Sequence, residues 1–264
     1  MKYLEDKELL FFSPEERHLR EMLEALRENH GCWALKFETE AEGASFEQIR
    51  YNMSLALGKL PVIVKIGGPE ARNDISELLK IGVNGLIAPM VESPYGLKNF
   101  VTALRQVAPK EQYQYIFKGF NVETITTFRQ LDEIFALPEI KEISSVSIGR
   151  SDLAGSLSAK VDDPEVMKIV REVRDKAKSI GLFVSVGGGI TPLNAEKVAT
   201  QIEPDRINTR NSGFSLKRCP DIRKAICEAL KFEIALLEHE ASQINDTYQR
   251  IKGRAEILKE RMRQ

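Results

Sequence analysis

A chain of 264 residues is long enough for one large α/β barrel or two small domains, and its 42% hydrophobic content can fill a sizeable core. A formal net charge of -1 excludes a general nucleic-acid binder, which needs a basic surplus, and no apolar run approaches the roughly 20 residues of a membrane helix. The acidic opening MKYLEDKELLFFS lacks the apolar centre of a signal peptide, and Cys32, Cys219 and Cys227, odd in number and without metal-type spacing, suit a reducing compartment; a cytoplasmic protein is expected.

Short apolar, β-branched runs punctuate the chain at 8–12, 32–37, 61–66, 85–90, 113–120, 143–149, 182–186 and 206–209, each reading as a strand. Helical patterns separate them. Ser13-Pro14-Glu15-Glu16 is a capping box with proline at the first helical position. Ser45, Ser93-Pro94, Asp163-Pro164 and Thr191-Pro192 open further helices, and Gly181 offers a C-terminal stop. Repeated strand–helix alternation implies a parallel sheet buried on both faces, and eight units in this length imply closure into a (β/α)8 TIM barrel; a doubly wound open sheet is the alternative.

From Leu230 the apolar positions Leu230, Ile234, Leu237, Ala241, Ile244, Tyr248, Ile251, Ala255, Leu258 and Met262 alternate spacings of four and three, a heptad seam. The expected organisation is a catalytic barrel over 1–219 and, over 220–264, a long C-terminal helix extending into a coiled coil that makes a homo-oligomer. A long helix packed on its own barrel is the alternative, and Gly253 and Ala255 weaken the last heptads.

Barrel enzymes carry their chemistry at the carboxyl ends of the strands. There this sequence places Glu38, Glu40, Lys65, Glu92, Glu123, Arg150, Asp152, the run Gly187-Gly188-Gly189 and Arg210. Carboxylates with water are the ligand set of Mg²⁺ or Mn²⁺. His18, His30 and His239 fall in or at the ends of predicted helices, which argues against histidine-held zinc and Ser-His catalysis. Spacing alone does not choose ligands from this ring, and Glu123 would equally suit the start of the helix TITTFRQLDEIF.

Three stretches resemble a known family, the class II pyruvate aldolases and citrate lyase β-subunits of the HpcH/HpaI group: GVNGLIAPMVES (82–93), NVETITTFRQLDEI (121–134) and SIGRSDLAGSL (147–157). FETEAEG (37–43) followed by PVIVKIGG (61–68) is a fourth, weaker match, and together the likeness spans roughly residues 8 to 215. The resemblance implies a modified (β/α)8 barrel of the pyruvate-kinase-like kind. It also implies a divalent metal, Mg²⁺ or Mn²⁺, on Glu123 and Asp152, chelated by the carboxylate and 2-oxo groups of pyruvate or oxaloacetate. Pro89 and Ser151, inside the matched motifs, are expected beside the substrate.

Departures from the family pattern matter. Lys65 stands where the family has a substrate-binding arginine, keeping charge but losing the planar fork. Ala41 follows Glu40 where many pyruvate aldolases carry an acid/base histidine, leaving Glu40 or a metal-bound water for proton transfer. Arg150 and Arg210 are expected either to grip a second carboxylate or phosphate on the substrate or to pair with a strand-end acid. The glycine run would admit a substrate close to the backbone or make a tight turn; its spacing is not a dinucleotide fingerprint.

The expectation is a metal-dependent carbon–carbon lyase or aldolase acting on a 2-oxo acid and an aldehyde-type partner, with Lys65 and Glu40 catalytic. The alternatives are a citrate-lyase or malyl-CoA-lyase type of enzyme using an acyl-CoA thioester, and a catalytically weakened barrel serving as an oligomeric scaffold.

Overall fold

The computed structural model describes residues 12–243 and 248–263. Its strands are Cys32–Glu38 (β1), Val62–Lys65 (β2), Gly85–Ala88 (β3), Phe117–Val122 (β4), Ser145–Gly149 (β5), Phe183–Gly187 (β6), Arg206–Asn208 (β7) and Ser212–Ser215 (β8). They close into a barrel in sequence order. β1 to β7 pair in parallel, whereas β8 runs antiparallel to both β7 and β1.

The strand count is as expected, but its ends are shifted. The run at 8–12 lies, apart from Phe12, outside the described residues, and the barrel begins with Cys32. Closure is completed instead by Ser212–Ser215, which no apolar run announces. The reversal has a local cause. The Thr209 N–H donates to the Ser212 carbonyl at 2.9 Å, and the Ser212 N–H donates back to the Thr209 hydroxyl at 3.0 Å. A connection this short leaves no room for a crossover helix, so the two strands must be antiparallel. Gly213 is required there, because a Cβ would stand 2.7 Å from the Trp33 indole nitrogen.

Helix starts follow the sequence signals. Ser13 and Glu16 form a reciprocal capping box at Pro14–His30, as do Ser45 and Gln48 at Phe46–Ala56, and Ser93 caps Pro94–Val107. The helix expected at Thr191 begins at Ala195, because Thr191 and Asn194 spend their side chains on each other's N–H groups in the preceding turn. The helical faces Ile75, Leu78, Leu97, Phe100, Val170 and Val173 are fully buried against strands that are themselves apolar on that side. Such double coverage is why β2 and β3 read as continuous apolar runs.

The single long C-terminal helix is not observed. Ile222–Gln243 and Tyr248–Met262 pack against each other, with Lys259 Nζ 2.7 Å from Glu238 Oε1. In one straight helix those residues would lie about 30 Å apart. The first helix is fixed to the barrel's outer ring: Tyr51 bonds and stacks on His239, and Asn52 Nδ2 donates to Glu240 Oε1 at 2.9 Å. Leu230, Leu237, Ala255 and Leu258 of the heptad seam are buried by this same chain; Ile244 lies outside the described residues. Burial in cis accounts for those four positions without a second copy. None of the described helices is long and apolar enough to cross a membrane.

Candidate active site at the carboxyl end of the barrel

The strand ends surround an open cavity of about 250 Å³, walled by Glu38, Lys65, Asn121, Glu123, Ser151, Asp152, the glycines 187–189, Asn208 and Arg210. Strand parity places Glu38, Lys65, Asn121 and Asn208, whereas Ser151, Asp152 and Arg210 stand beyond the strand ends. On β1, alternation puts Ala34, Lys36 and Glu38 toward the barrel axis, and Glu38 is in register with Lys65 of β2. A second, enclosed cavity lies deeper in the barrel, lined by Trp33, Ile63, Ile87 and Phe117, and Lys36, Ser147 and Asn208 border both.

Glu123 follows β4 and is 2% exposed. The Met90 N–H donates to its Oε1 at 2.9 Å and Asn121 Nδ2 donates to its Oε2 at 2.8 Å. Met90 makes this bond from a left-handed backbone, φ 47°, which is unfavourable for a side-chain-bearing residue. Asp152, in the first turn of Arg150–Ser156, approaches from β5. A Cβ placed on Gly149 would meet Glu123 Oε2 at 3.2 Å and Asp152 Oδ2 at 3.7 Å, so the two carboxylates converge over one strand end. Burial raises the Glu123 carboxyl above its usual range, against the pull of its two hydrogen bonds, and the charge of Asp152 adds to the rise.

Asn121 Oδ1 is buried with no partner. Two converging carboxylates and an unsatisfied amide oxygen form an all-oxygen donor set that fits a hard divalent cation, whose charge would relieve the repulsion. Among the described residues no three His, Cys, Asp or Glu side chains gather as a metal cluster, so any such cation would draw further ligands from water or substrate.

Lys65 Nζ lies 2.9 Å from Glu38 Oε2 and 2.7 Å from Glu40 Oε2. Burial disfavours its charge, but the Glu38 and Glu40 carboxylates outweigh it and hold Lys65 above the usual lysine range. Glu42, 2% exposed, binds Arg210 through Oε1 at 2.7 Å and Arg254 through Oε2 at 2.8 Å. The C-terminal helix thereby docks on the mouth, where Arg261 joins the wall.

Arg150 is fully buried; its NH1 meets Asp162 Oδ1 at 3.1 Å and its NH2 donates to the Gly188 carbonyl at 2.9 Å. It is not among the wall residues, and its pairing acid lies on a loop rather than at a strand end. Pro89 is buried and off the wall, while Ser151 is on it. Gly188, φ 84°, presses against the start of Arg150–Ser156: a Cβ would stand 2.5 Å from the Ser151 nitrogen.

The profile of the HpcH/HpaI aldolase/citrate lyase family matches residues 47–197, more than half of the chain. The chain belongs to that family. A hydroxypyruvate/pyruvate aldolase of Rhizorhabdus wittichii is 28% identical over 159 residues, which cover 48% of this chain and 63% of that protein. The match thus spans less than two thirds of that relative's length. An HpcH/HpaI aldolase of Desulfitobacterium hafniense superposes with a TM-score of 0.53 at 19% identity, over 63% of this chain and 72% of that one. A family protein of Burkholderia cenocepacia gives 0.54 at 15%, over 69% and 90%. At such identities these two establish the shared barrel fold.

Within this HpcH/HpaI barrel, sequence reasoning overlooked Lys36, which hid inside the apolar run CWALKF. The available signal was parity: two residues before an inward-facing Glu38, Lys36 must face inward too. It also missed Glu42 as the anchor of two arginines, and Arg261, which no motif marks.

Proposed function

We propose that the protein is a metal-dependent carbon–carbon lyase or aldolase, forming or consuming the enolate of a 2-oxo acid such as pyruvate or oxaloacetate and joining it to an aldehyde-type partner. The observation that supports this reading most is the convergence of Glu123 and Asp152 over Gly149, beside an ammonium at Lys65. Glu123 and Asp152 would hold Mg²⁺ or Mn²⁺. When bound, such a cation supplies positive charge to the oxygens of the 2-oxo acid and so lowers the cost of the enolate.

The chain's own residues set the rest. Lys65 is fixed by Glu38 and Glu40 and offers charge near the developing oxyanion without freedom to wander. The Met90 and Asn121 bonds fix the Glu123 carboxylate, so it need not reorganise when a ligand arrives. Ser151 borders the same space, and its hydroxyl would donate to a substrate oxygen. Arg210 and Arg261 at the rim favour a partner carrying an anionic group, and they leave open an acyl-thioester partner.

Exchange of pyruvate methyl protons in deuterated water tests the reading. Exchange is expected with Mn²⁺ or Mg²⁺ and lost after chelation. Its absence with every divalent metal tried would sink the proposal. Metal binding by calorimetry should vanish in Glu123→Ala and Asp152→Ala, and stabilisation by acetyl-CoA in a thermal melt would redirect the partner to a thioester.

A further inference from the structure

Lys36 and Arg261 are the basic residues of the cavity wall that neither the family motifs nor the proposed metal site employs, and Lys36 alone of the two also borders the deeper cavity. Its side chain is half-buried, and the surface it retains is that of the cavities it borders. Among the described residues its ammonium nitrogen has no hydrogen-bond or ion-pair partner. The neighbouring cations are committed: Lys65 to Glu38 and Glu40, Arg210 to Glu42, and Arg150 to Asp162.

An ammonium drawn partly out of water without a partner is costly, and losing its proton relieves that cost. Trp33, Ile63 and Phe117 make one side of its surroundings apolar, and Ser145, Ser147, Ser185 and Asn208 line the same cavity without offering it a charge. Burial pulls Lys36 below the usual lysine range despite the opposing charges of Glu38, Glu42 and Glu123. A neutral amine has a free lone pair, and here no hydrogen bond occupies it.

We propose that Lys36 is the base that moves the substrate's carbon-bound proton, the task for which Ala41 leaves no histidine. This rests on the 2-oxo acid reading above. The Lys36 nitrogen takes a proton from the carbon next to the 2-oxo group, and that C–H bond breaks. Its electron pair becomes the C2–C3 double bond as charge moves onto the C2 oxygen. On the return course the ammonium gives the proton back to carbon. Glu40, spent on Lys65, does not compete for this role.

Three measurements test it. Lys36→Met should slow pyruvate methyl exchange at least ~100-fold, mostly in kcat rather than KM. Small primary amines should restore part of the exchange in Lys36→Ala, which a merely structural lysine would not allow and an unfolded variant could not show. In the metal-free protein, acetic anhydride should label Lys36 near neutral pH, and pyruvate added together with Mn²⁺ should protect it. Exchange at the wild-type rate in Lys36→Met, failure of every amine to rescue, or a Lys36 inert to the reagent would each overturn the assignment. Borohydride trapping of a covalent pyruvate adduct on Lys36 would also overturn it, making the amine a nucleophile. The two failures separate cleanly: a wild type without exchange defeats the aldolase reading, whereas an active wild type indifferent to Lys36→Met defeats this inference alone.

Discussion

Glu42 and Arg254 are 212 residues apart in the chain, yet Arg254 NH2 donates to Glu42 Oε2 at 2.8 Å, joining the last helix to the mouth of the barrel. Arg210 takes the other oxygen of the same carboxylate at 2.7 Å. Removing Glu42 strands both guanidiniums, whereas removing Arg254 leaves a complete Glu42–Arg210 pair. Both guanidiniums keep some contact with water, so the cost stays below the about 3–5 kcal/mol of breaking a fully buried pair. Glu42→Ala should therefore lose clearly more stability in urea than Arg254→Ala. Arg254→Ala should chiefly speed amide exchange in Tyr248–Met262. Equal losses in the two variants would show that the shared carboxylate is not the anchor.

Arg150 is expected to matter to the fold. Its guanidinium spans Asp162 and the Gly188 carbonyl, holding the β6 glycine turn against the helix that carries Asp152. Lysine offers one point charge in place of that fork. Arg150→Lys should destabilise by about 2–4 kcal/mol by chemical denaturation. Arg210→Lys, on a side chain 39% exposed, should cost under ~1 kcal/mol. A stable Arg150→Lys protein with altered substrate preference would return Arg150 to the substrate.

The difference between these two arginines shows what the sequence could and could not reveal. Strands β1 to β7 were legible as short runs rich in β-branched and aromatic residues between helical patterns. The helix starts at Ser13, Ser45 and Ser93 were legible because capping is a local bond. β8 was not, since Ser-Gly-Phe-Ser owes its place to closure against β1 and to a glycine under Trp33. The candidate carboxylates could be listed from strand ends, but choosing among them required the family likeness. Nothing local distinguishes Arg150, turned into the core, from Arg210, left at the rim. The tail's heptad seam was real, yet periodicity does not say whether its partner is another copy or the same chain.

Met90 carries its own prediction. Its φ of 47° directs its N–H to Glu123, and its side chain is 41% exposed, so little packing compensates the strain. Met90→Gly should raise the melting temperature, by about 1 kcal/mol of relieved strain, while keeping the bond to Glu123. Met90→Val should lower it, because a β-branched side chain tolerates that backbone least. If glycine destabilises as much as valine, the left-handed conformation is not what limits the position.

Glu233 gives a signature in pH. It is fully buried on Ile222–Gln243, accepting from the Thr209 hydroxyl and, at 3.0 Å, from the Asn211 N–H, while its Oε2 has no partner. Burial raises its carboxyl above the ordinary glutamate range, and the nearby charge of Glu42 adds to the rise. The folded state therefore keeps a proton that the unfolded chain releases above about pH 4.5. Between that value and the raised one the folded state binds more protons, so stability falls as pH rises. Below it both states are protonated and the group is silent. Glutamine cannot ionise and removes the slope. From about pH 5 to about pH 8, the stability of Glu233→Gln relative to wild type should rise by on the order of 1 kcal/mol, read from paired urea titrations. A constant difference across that window would mean that Glu233 stays charged in the fold, held by Thr209 and Asn211 against its burial.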